Sequence, residues 1–142
     1  MGVGLENEKA TKLLNDGDAV GAMAILERVL LDELTDTQRA TILANKGLCL
    51  DQLGRSEEAV AVLEQALAVK HDPAVDEVRE QISVSILTDK AVRTAERGQY
   101  EEAAGLFSEC IERDPEGRPY YYYNKGFMLH KLGRLQEATE MF

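Results

Sequence analysis

Two histidines, two cysteines and a few clustered carboxylates are the residues of this chain that could do chemistry. Neither His71 nor His130 has a second histidine four residues on or a cysteine beside it, so the helical zinc spacing is missing. Cys49 falls in an apolar-periodic stretch and Cys110 in a column of small residues. Both read as buried hydrophobes rather than nucleophiles, and not as a disulfide pair. Gly2-Val3-Gly4 begins a dinucleotide-type string, but the third glycine and a preceding strand are both missing. Asn15-Asp16-Gly17-Asp18 is acidic enough to suggest calcium, yet it lacks the D-x-D-x-D-G spacing and reads as a turn between helices. The carboxylate pairs Glu57-Glu58 and Glu101-Glu102 stand where helices begin and favour the positive end of the helix dipole. No group of these residues converges on an active site. The expectation is a chain with no enzymatic activity, no metal and no cofactor.

The elements that position these residues come from an internal repeat, the feature to seek before any other. Four glycines, Gly17, Gly54, Gly98 and Gly133, each sit in a polar turn, separated by 37, 44 and 35 residues. Five residues after each stands Ala22, Ala59, Ala103 or Ala138, and nine after stands Leu26, Leu63, Phe107 or Phe142. Seven before stands Ala10, Gly47, Ala91 or Gly126, preceded in every copy by a lysine, Lys9, Lys46, Lys90 or Lys125.

These columns describe two helices packed as a hairpin. Ala59, Leu63 and Ala66, like Ala103, Phe107 and Cys110, recur at spacings of four and three and line one helix face. The nearly bare residues of the first helix let the backbones approach, and the large residue of the second fills the space beside them. The lysines read as snorkelling side chains whose stems cover apolar surface. The competing reading is a ladder of positive charge for a ligand.

In these residues the chain resembles the tetratricopeptide repeat family, with its repeat of about 34 residues, a small residue in the first helix and Ala-x-x-x-Phe in the second. The copy from Ala40 to Pro73 carries Leu43, Gly47, Leu50, Gly54, Ala59, Leu63 and Ala66 at the family spacing, and Asn45-Lys46-Gly47 returns as Asn124-Lys125-Gly126. The third copy has Leu87, Ala91, Gly98, Tyr100, Ala103, Phe107 and Pro115, with Thr94 weakening its first helix face. The first has Glu6 where a large residue belongs, and the fourth carries Tyr122, Gly126, Leu129, Gly133 and Ala138. The resemblance implies an all-α fold, an α-α superhelix of antiparallel helical hairpins. It is read as one domain over residues 1–142, with units at about 3–36, 40–73, 84–117 and 119–142.

It also implies function: a non-catalytic scaffold that binds a peptide or helix of a partner protein in a concave groove lined by the first helices. Carried onto this sequence, the groove comprises Asn7, Thr11, Asn45, Leu48, Gln52, Thr88, Asp89, Val92, Tyr123, Asn124, Phe127 and Lys131, with Glu8, Asn15, Ala44 and Glu96 in the same columns. Asn45 and Asn124 could satisfy a peptide backbone's donor and acceptor together, or could instead cap or bridge neighbouring helices. Tyr123 and Phe127, a turn apart, would form an aromatic platform, or pack within their own unit. Some family members clamp an acidic C-terminal carboxylate. Here Thr11, Ser85 and Asp89 stand where such a clamp would want asparagine, lysine and arginine, so neutral or basic segments are the expected partners.

Two departures from regularity remain. Ten extra residues lie near 73–83, where Asp72 can cap and Pro73 can open a helix, while Val75, Val78, Ile82 and Ile86 keep one face. The expectation is one helix from about Pro73 to Arg97, ~37 Å long, against a break at Ser83 to Ser85, where Ile82-Ser83-Val84-Ser85-Ile86 alternates as a strand would. The second is Phe142, in the middle of a second helix. Either the natural chain continues, or the C-terminal edge is covered by another copy, making a structural self-assembly unit and a homodimer the alternative function. The Tyr120-Tyr121-Tyr122-Tyr123 run, pointing all round its helix, must leave at least one ring outward.

Composition excludes further classes. At 142 residues, 44% hydrophobic and 30% charged, the chain can bury a core without disulfide support. Its net charge of −10 argues against nucleic acid and anionic membrane surfaces. No stretch reaches the roughly 18–20 apolar residues of a membrane span, and the first residues resemble neither a signal peptide nor a myristoylation signal. The expected setting is reducing and cytoplasmic.

Overall fold

The computed structural model describes residues 2–133 and is built from helices, in the order α1 (Val3–Asn15), α2 (Ala19–Val29), α3 (Asp36–Gln52), α4 (Ser56–Val69), α5 (Pro73–Glu96), α6 (Tyr100–Arg113) and α7 (Arg118–Lys131), with a short 3₁₀ turn at Pro115–Gly117 before the last. No strand occurs among the described residues. Nor is any described helix long and apolar enough to cross a membrane. Ala138, Met141 and Phe142 lie outside the described residues.

Local chemistry sets the helix ends. The four turn glycines have φ of +88°, +80°, +78° and +77°, the left-handed region that a side chain disfavours. At the first, Asp18 N–H donates to Leu13 C=O and Gly17 N–H to Leu14 C=O, at 2.8 and 3.1 Å, closing a Schellman motif. The same pair of bonds recurs around Gly54, from Arg55 to Leu50 and Gly54 to Asp51, and around Gly98, from Gln99 to Thr94 and Gly98 to Ala95. Side chains cap the starts of α2, α3 and α5: Asp18 Oδ1 accepts from Gly21 N–H at 2.8 Å. Thr35 and Gln38 form a reciprocal capping box at 3.0 and 3.1 Å. Asp72 Oδ1 accepts from Ala74 N–H at 2.9 Å, the cap expected before Pro73.

Helix α5 runs unbroken through Ser83 to Ser85, 24 residues in all. The alternating Ile-Ser-Val-Ser-Ile segment stays helical, with Ser83 Oγ donating to Arg79 C=O at 2.9 Å within the helix and no strand among the described residues to pair with.

The chain divides into two compact units, residues 1–83 and 84–142. In the first, Ala10, Ala22, Leu26, Ile42, Cys49, Leu50 and Ala59 pack one core across α1 to α4. In the second, Ala91, Ala103, Phe107, Cys110, Tyr121 and Met128 join the latter half of α5 to α6 and α7. The repeat columns are the core: Ala10, Gly47, Ala91 and Gly126 are all buried, as are Ala22, Ala59 and Ala103, and Leu26, Leu63 and Phe107. The closest approach is at Gly47, where an added Cβ would stand 2.7 Å from Leu63 Cγ and Cδ2.

Candidate functional site

The outward columns of the first helices are described unit by unit. In the first unit, α1 and α3 meet through amides. Asn45 Nδ2 donates to Asn7 Oδ1 at 2.6 Å, and Gln52 Nε2 donates to Leu14 C=O at 3.3 Å. The first of these bonds brings together two residues singled out from sequence and fixes their orientation, so Asn45 bridges neighbouring helices. Thr11 is exposed, its hydroxyl bonded to Asn7 C=O at 2.9 Å within α1. Leu48, 37% exposed, presents its side chain on the same helix as Asn45.

Beside α3 lies a cavity of about 510 Å³, walled by Ala40, Ala44, Leu48, Ala66, Val75 and Val78, with His71 and Asp72 at its margin. Sequence reasoning did not find it. The alanine spacing on α3 was legible, but the opposing wall comes from the inserted start of α5, which no repeat column predicts.

In the second unit, Thr88 is half-buried. Its hydroxyl donates to Val84 C=O at 2.9 Å and stands 3.6 Å from Cys110 Sγ, so it is engaged with the core-facing thiol of α6. Val92 packs against that unit's core, while Asp89 is exposed. Tyr123 is 62% and Phe127 40% exposed, and Lys131 Nζ sits 5.3 Å from the Phe127 ring centroid, a cation–π distance. Asn124 Nδ2 donates to Tyr120 C=O at 2.8 Å within its own helix. Of the tyrosine run only Tyr121 is buried, at 6% exposure. Tyr120 packs edge-on against Phe107 with centroids 6.5 Å apart.

Tyr121 carries a contact that its sequence did not announce. Its hydroxyl donates to Asp114 Oδ2 at 2.7 Å across the corner between α6 and α7. Burial and this carboxylate push the phenol up to about 12. Gly117 lies directly over the pair, and a Cβ there would stand 2.5 Å from the Asp114 carboxylate and 2.7 Å from the ring. Pro115 and Gly117 mark a turn in the sequence, but not its bond to Tyr121.

Chemistry beyond recognition finds few groups. Cys49 and Cys110 are free and buried, and burial raises both thiols above their ordinary range, which makes them poor nucleophiles. Among the described residues, no three histidines, cysteines or carboxylates gather to hold a metal ion.

Comparison with known proteins agrees with the geometry. Tetratricopeptide repeat models match residues 13–82 and 119–142. Among solved structures, MamA from Desulfovibrio magneticus RS-1 superposes with a TM-score of 0.61 at 18% identity, covering 99% of this chain and 90% of that one. MamA from AMB-1 gives 0.55, also at 18% identity, covering 96% and 93%. At such identity the likeness is one of fold, a helical solenoid. Glycine-closed hairpins, small-against-large packing and the two matched stretches together show that the chain belongs to the tetratricopeptide repeat family of protein-interaction scaffolds.

Proposed function

We propose that this chain is a non-catalytic scaffold that docks a peptide or helix of another protein on the outward face of its first helices. The observation that carries this reading is the repeat position six residues before the turn glycines, where Leu48 and Phe127 stand 37% and 40% exposed, while Thr11 is exposed but polar and Val92 half-buried. Large apolar groups left partly in water at the same repeat position in both units favour a partner, because burying the exposed 37% and 40% stabilises a complex by roughly 0.5–1 kcal/mol each. Asn7, Thr11, Asn45 and Gln52 border Leu48 in sequence register, and Tyr123, Asn124 and Lys131 border Phe127, with Thr88, Asp89 and Val92 the corresponding positions of α5. The unit boundaries at 3–36, 40–73, 84–117 and 119–142, the preference for neutral or basic segments and a reducing, cytoplasmic setting belong to the same proposal. Two free, buried thiols are consistent with that setting.

The test is affinity capture from native lysate with quantitative mass spectrometry, comparing the chain with Leu48→Ser plus Phe127→Ser. Val20→Ser, on a second helix with 69% exposure, is the control. The double variant is expected to lose its specific partners at least fivefold while the control keeps them. Equal retention by both variants would place docking elsewhere and overturn the reading.

A further inference from the structure

The cavity of the first unit is a concavity open to solvent, and its volume of about 510 Å³ falls within the ~300–1,000 Å³ of ligand pockets. Its depth has a cause in the sequence. Ala40 and Ala44, one turn apart on α3, and Ala66 on α4 offer only methyl groups, and Val75 and Val78 from the inserted turns of α5 close the far side. Its mouth is open, since Thr37, Thr41, Leu48 and residues 70–74 are exposed.

Apart from His71 at the exposed rim, the polar side chains around it are already bonded within the protein. Thr41 donates to Thr37 C=O at 2.9 Å, and Lys70 Nζ donates to Thr37 Oγ1 at 3.2 Å. Asn45 is held by Asn7, and Asp72 caps α5. A guest therefore meets apolar walls, and the interior rewards hydrocarbon or aromatic bulk rather than a polar head.

Charge selects what carries that bulk. Residues 1–83 hold sixteen acidic against eight basic residues, so most of the net charge of −10 belongs to this unit. Asp32, Glu33 and Asp36 lead, exposed, into α3 on the Thr37 side. A second copy of the chain would bring the same negative field against this surface, and an acidic segment would be repelled likewise. Resting on the docking reading above, we propose that the cavity seats a bulky apolar side chain, the size of leucine, methionine or phenylalanine, from a partner peptide with basic flanks.

The experiment uses the full chain and defined probes. Fluorescein-labelled 15-residue peptides carry leucine, phenylalanine or serine at the centre and lysine, glutamine or glutamate in the flanks, and binding is read by fluorescence anisotropy. The lysine-flanked leucine or phenylalanine peptide should bind tightest, and serine at the centre should weaken it at least tenfold. Ala44→Leu, which fills the cavity, should cost a similar factor. Because that variant could fail to fold, methyl-labelled wild-type protein provides a second readout, with peptide-induced shifts expected at Ala40, Ala44, Val75 and Val78. Binding that leaves those methyls unmoved but shifts Val92 overturns the pocket and keeps the docking face. No binding by any peptide overturns both. Preference for glutamate flanks, self-association abolished by Ala44→Leu, or a co-purifying apolar small molecule removed by that substitution would each assign the cavity to a different occupant.

Discussion

At the scale of single residues, the fold depends on how little stands at one position. Gly47 is buried in the middle of α3, where glycine costs roughly 0.5–1 kcal/mol of helix stability relative to alanine. Gly47→Ala should nevertheless destabilise the protein by about 1–3 kcal/mol, because the new methyl meets both Cγ and Cδ2 of the buried Leu63 at 2.7 Å. Urea denaturation measures this, and a Leu63→Ala background should abolish or reverse the penalty; an equal loss in both backgrounds would show that the steric account is wrong. This packing was legible from sequence, since the small and large columns are visible without coordinates. Other single residues were not. Thr94, expected to weaken the third unit's first helix, is buried with its hydroxyl bonded to Lys90 C=O at 2.7 Å, so a polar side chain sits in the core fully satisfied. Glu6, standing where the other units have a large residue, pairs with Arg28 of α2 at 2.7 Å and Lys9 at 3.7 Å. Sequence showed the missing hydrophobe, but not the ion pair that occupies its place. Asn45 could be read either as a ligand amide or as a bridge between helices, and only the coordinates place Asn7 against it.

At the scale of elements, corners divide into two kinds. Those at Gly17, Gly54 and Gly98 share one hydrogen-bond pattern and were legible, because a glycine between periodic stretches marks a helix stop. The corner between α6 and α7 is different, tied by the Tyr121 hydroxyl to Asp114 under Gly117. Spacing alone does not reveal such a bond, since it depends on how the 3₁₀ turn aims two side chains. It makes a prediction about alkaline pH. The folded phenol, pushed up to about 12, stays protonated where the unfolded phenol ionises near 10. Stability from this group is therefore complete below pH ~10 and lost as pH rises toward 12, by about 2–3 kcal/mol. Chemical denaturation of wild type and Tyr121→Phe at pH 8 to 12 checks it: the wild-type curve should fall more steeply, and parallel curves would refute the assignment. The continuous α5 was legible from Asp72, Pro73 and its apolar face, while the cavity wall that its first turns supply was not.

At the scale of the whole molecule, charge decides what can approach. The net charge of −10, with Asp89 and Glu96 exposed on α5 and Glu8 exposed on α1, opposes carboxylate-terminated guests. Titration with a peptide ending in Glu-Glu-Val-Asp should show no saturable binding at ~0.15 M salt, where screening acts beyond about 8 Å; micromolar affinity would contradict the electrostatic account. The three-residue glycine corners carry a consequence for kinetics as well. Closing so short a connection costs little chain entropy, and each hairpin joins residues that are near in sequence. Such local topology puts folding in the microsecond-to-millisecond range. With its own glycine-closed corners and its own core in each unit, the nascent chain can nucleate at the first hairpin, before later residues have been made.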